Sequence, residues 1–165
     1  FMLLFSPRWL FIIPGLVLFL ISLLGYAALL VGPQRLGSVT FDVHTLFFFQ
    51  AGLILGFVAI ALGVIIRMFG MREGLLQENS WLQKLRITPL LEIGSCVGIV
   101  MMLGGLFLGF DALMAWGAVR FAALEPGELL RTISLSTLLI MLGGFTLMVS
   151  LIMGFLALPT REQRF

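Results

Sequence analysis

Residues 46–66, LFFFQAGLILGFVAIALGVII, run from Leu46 to Ile66 without a charged side chain. A helix rises about 1.5 Å per residue, so about 20 apolar residues cross a hydrocarbon core of roughly 30 Å. This stretch therefore reads as a membrane-spanning helix. Three more apolar runs of similar length flank it, at about Trp9–Val31, Leu90 to Phe110 or further, and Ile133–Leu158. The first is too long for a signal-peptide core and has no small-residue cleavage site after it. Pro14 falls in its early turns, where a proline is tolerated or produces a bend. Trp9, Trp81 and Trp116 lie near the ends of runs, as interfacial aromatic anchors do.

Composition agrees. The chain has 165 residues, of which 61% are hydrophobic and 11% charged, with mean hydropathy +1.17. A soluble domain carries roughly a quarter charged residues, so this chain cannot cover a water-facing surface. The expected fold is an all-α integral membrane protein. Its four transmembrane helices would form two hairpins, with a short amphipathic helix between them. Residues 1–165 read as one membrane domain. The single cysteine, Cys96, sits in an apolar run and offers neither a disulfide partner nor metal-ligand spacing. A net charge of +2 gives no electrostatic support for nucleic-acid binding.

Basic residues set the expected orientation. Arg8, Arg67, Arg72, Lys84, Arg86, Arg161 and Arg164 fall on one side, against Arg35, Arg120 and Arg131 on the other. The positive-inside rule puts both termini and the 67–89 loop in the cytoplasm. Ser80 followed by Gln83 reads as a capping box, with Trp81, Leu82 and Leu85 on one face beyond it. A short helix in the headgroup layer fits that pattern, as does an ordinary basic loop that fixes topology. Within the spans Gly52 and Gly56, Gly94 and Gly98, and Gly105 and Gly109 stand four apart. Small residues at this spacing let helix backbones approach. A four-helix bundle packed on itself accounts for them. Gly143-Gly144 and the hydroxyls Thr132, Ser134, Ser136 and Thr137 mark the fourth span as packed or polar at its outer end. Counted from Leu90, Asp111 lies about 31 Å along its helix, at the outer interface, and Glu92 lies at the inner edge.

Catalytic signatures are sparse. The chain has no Gly-rich phosphate loop, no HExxH, no nucleophile elbow and no cysteine cluster. The stretch Gly37-Ser38-Val39-Thr40-Phe41-Asp42-Val43-His44-Thr45 holds the only histidine beside a carboxylate and hydroxyls. Two apart on an extended strand, Asp42 and His44 would point to opposite faces, and no third ligand or catalytic partner accompanies them. The expected orientation turns this loop outward.

Ser6-Pro7-Arg8-Trp9-Leu10-Phe11-Ile12-Ile13-Pro14-Gly15, the Gly37–Thr45 stretch, Met71-Arg72-Glu73-Gly74-Leu75-Leu76 and Trp81-Leu82 follow one another in order. Together they resemble the C-terminal membrane region of bacterial family 2 glycosyltransferases of the polyprenyl-phosphate, dolichol-phosphate mannosyltransferase-like type. These motifs cover the first half of the chain, and hydropathy alone carries the second. The resemblance implies a soluble catalytic domain before Phe1, holding a nucleotide sugar and a divalent metal. It implies no catalytic, cofactor or metal residue in this chain. The membrane region would anchor the enzyme in the bacterial inner membrane and present a polyprenyl-phosphate acceptor at the cytoplasmic face. Arg8, Arg72, Lys84 and Arg86 are the candidate lipid-phosphate contacts, although a snorkelling or topology-setting arginine has the same signature. Asp42 and His44 serve as family markers. Membrane lipids are the expected partners, with a homo-oligomer or a larger membrane complex also open. The alternative is a non-catalytic accessory subunit packed against such a complex.

Overall fold

The structure, a computed structural model, describes residues 8–36, 39–72, 87–118 and 126–157. It is almost entirely helical. Four helices are long and apolar enough to cross a membrane, over Arg8–Val31, Val43–Met71, Glu92–Ala118 and Leu129–Leu156. The chain enters through a π-helical turn, Arg8–Ile12, that continues into α1, Ile13–Val31. Pro14 explains the wide turn. It has no N–H to give, and its ring would press on the carbonyl four residues back.

After α1, β1 (Gln34–Leu36) and β2 (Val39–Phe41) form a two-stranded antiparallel ribbon with Arg35 opposite Thr40. The ribbon ends at Asp42. Its backbone carbonyl accepts the amides of Thr45 and Leu46, starting α2 (Val43–Arg72). Two further helices follow, α3 (Ile87–Ala118) and α4 (Pro126–Ala157). Proline suits the first position of α4, where its missing N–H is no loss. The expected amphipathic helix around Ser80–Leu85 lies outside the described residues.

Close approach of backbones defines two antiparallel pairs. Between α1 and α2, a Cβ added at Gly56 would stand 2.7 Å from the Phe19 backbone nitrogen, and one at Gly52 would run into the Ser22 hydroxyl. Between α3 and α4, a Cβ at Gly98 would stand 2.8 Å from the Gly143 carbonyl oxygen, and one at Gly143 2.7 Å from that of Gly98. Gly94 and Gly105 meet α4 as closely. The glycines marked by their four-residue spacing thus face partner helices.

Packing is closest between α1 and α2 and between α3 and α4, and α2 joins the two pairs by packing on α4. Tyr26 of α1 also reaches Ser134 of α4. Lipid supplies no apolar drive for helices to associate, so faces lined with small or polar residues gain most by meeting. The core sits where α1, α2 and α4 converge, with Tyr26, Leu29, Leu46, Leu53 and Leu138 buried. Along the α2–α4 seam, Leu46, Gln50, Leu53, Ser134 and Leu138 are buried. Further along the same stripes, Phe57, Ile60, Val64, Leu142, Phe145 and Val149 are only partly covered. The seam is tightest beside the ribbon.

Candidate functional site

Polar side chains collect at the two ends of the helices. At the ribbon end, the Arg131 guanidinium donates through Nη2 to Asp42 Oδ1 at 3.0 Å, joining α4 to the start of α2. Arg131 is mostly buried, whereas half of the Asp42 side chain remains exposed. The Arg131 Nε is buried with no hydrogen-bond partner. One turn deeper, the Ser134 hydroxyl donates to Gln50 Oε1 at 2.6 Å. Its single proton is then used, so the Tyr26 hydroxyl donates to Ser134 Oγ, at 3.1 Å. Tyr26, Gln50 and Ser134 are all buried and come from α1, α2 and α4, respectively. Three hydroxyl and amide groups that would be costly to bury singly therefore satisfy one another.

Asp42 and His44 do not act together here. Asp42 ends the ribbon and pairs with Arg131, while His44 lies exposed in the first turn of α2. The strand expected to carry both stops at Phe41. Among the described residues no three His, Cys, Asp or Glu side chains converge as a metal site requires. The divalent metal implied by the family resemblance therefore has no donor set among these residues.

The opposite end is basic. Arg8 is exposed at the entry to the first span. Gly63 of α2 packs on Phe11 and Ile12, which brings Arg67 of α2 to the depth of Arg8. Arg72 closes α2 just beyond. Two of the candidate phosphate contacts, Arg8 and Arg72, thus share one end; Lys84 and Arg86 lie outside the described residues. Reading the sequence missed the Tyr26–Ser134–Gln50 chain and the Arg131–Asp42 pair. A polar residue inside each of three apolar runs was the available signal.

A family model described as the glycosyltransferase family 2 C-terminal transmembrane region matches residues 64–157. The match takes in the last turns of α2, all of α3 and α4, and the 71–76 and 81–82 motifs. It leaves out the 6–15 and 37–45 stretches, so its weight falls where hydropathy alone carried the resemblance. No curated protein and no solved structure matches the chain. The matched region exceeds half of the 165 residues and takes in two of the four spans whole and the end of a third. This chain belongs to the C-terminal transmembrane region family of family 2 glycosyltransferases.

Proposed function

We propose that this chain anchors a glycosyltransferase in the bacterial inner membrane and presents its lipid acceptor, a polyprenyl phosphate, at the cytoplasmic face. A domain upstream would supply the nucleotide sugar, the divalent metal and the transfer chemistry. The observation that carries the reading is membership of the glycosyltransferase membrane family together with the arginine end. That end gathers Arg8, Arg67 and Arg72, on the side holding seven of the ten basic residues. The excess of positive charge supports a cytoplasmic placement of this end and of both termini.

A polyprenyl phosphate has an apolar tail and an anionic head. The tail is at home beside helices whose outward faces are apolar, among them Leu16, Leu20 and Leu24 of α1. The head requires donors at the hydrocarbon boundary. Arginine suits this, because its planar fork matches phosphate oxygens and it keeps its charge at any physiological pH. Charge-assisted hydrogen bonds from Arg8 would hold the phosphate at the membrane surface, in reach of an enzyme domain in the cytoplasm. The contribution of this chain is thus position and charge.

Arg8→Ala in the intact, membrane-reconstituted polypeptide is expected to raise the acceptor KM about tenfold. That equals the loss of one charge-assisted hydrogen bond of about 1.4 kcal/mol. The KM for nucleotide sugar should stay unchanged. An unaltered acceptor KM rules out the assigned role of Arg8.

A further inference from the structure

We draw no further inference here: the strongest candidate, the side-chain cluster at the ribbon end that joins Asp42 to Arg131 and Tyr26 to Ser134 and Gln50, carries nothing, since its members bond to one another and the Arg131 Nε that lacks a partner is buried out of a ligand's reach.

Discussion

The two seams of α4 are built on different principles. Toward α3, backbone meets backbone: Gly98 and Gly143 each sit where the other's carbonyl leaves no room for a side chain. The Ser136 hydroxyl adds a bond to the Gly105 carbonyl at 2.7 Å. Toward α2, the helices meet through side chains, with Ser134 on Gln50 and Arg131 on Asp42. A glycine seam depends on shape over the whole helix length. A side-chain seam depends on a few groups near one end, and its stripe opens as the distance from them grows. The difference implies that α3 and α4 separate with difficulty, whereas the angle between α2 and α4 is set locally.

Substitution should separate the two seams in size of effect. Gly98→Leu pushes a branched side chain into the Gly143 backbone, where neither partner can yield by rotating. A loss of about 3 kcal/mol is expected, at the upper end of overpacking costs, measured by denaturant unfolding in mixed micelles. Ser134→Ala removes the hydroxyl joining Tyr26 to Gln50. A loss of about 1 kcal/mol is expected, the scale of interhelical hydrogen bonds in a bilayer. Its effect should be non-additive with Gln50→Leu yet additive with Gly98→Leu. Additivity with Gln50→Leu breaks the assignment of the polar seam.

Arg131→Met should matter least, at about 0.5 kcal/mol or below in the same unfolding assay. Asp42 is half exposed, so solvent screens the pair. Removing Arg131 also removes a buried Nε–H with no acceptor, which offsets part of the lost attraction. The small effect should shrink further at high salt. A loss as large as that of Gly98→Leu would make the ion pair, rather than the glycine contact, the main support of the helix packing.

Much of this was legible before any coordinates. Span number follows from run length, because hydrocarbon permits only helices with their backbone bonds made internally. Gly52, Gly56, Gly94, Gly98, Gly105 and Gly109 stood out by spacing, and each meets a neighbouring helix or its side chains. What spacing could not give was the partner. Gly143 opposite Gly98, Ser134 opposite Gln50 and Arg131 opposite Asp42 are contacts between residues 45, 84 and 89 apart. For the arginine end, the charge pattern marked the side, and the packing of Gly63 on Ile12 brought Arg8 and Arg67 level.

The functional reading stands on that end facing the compartment that holds nucleotide sugars. Single-cysteine labelling in intact cells, in a Cys96→Ala background, measures this directly. With a membrane-impermeant maleimide, His44→Cys at the ribbon end should be labelled from outside, and Arg8→Cys only after the membrane is opened. Labelling of Arg8→Cys from outside, with His44→Cys protected, would put the arginines on the wrong face and contradict the account.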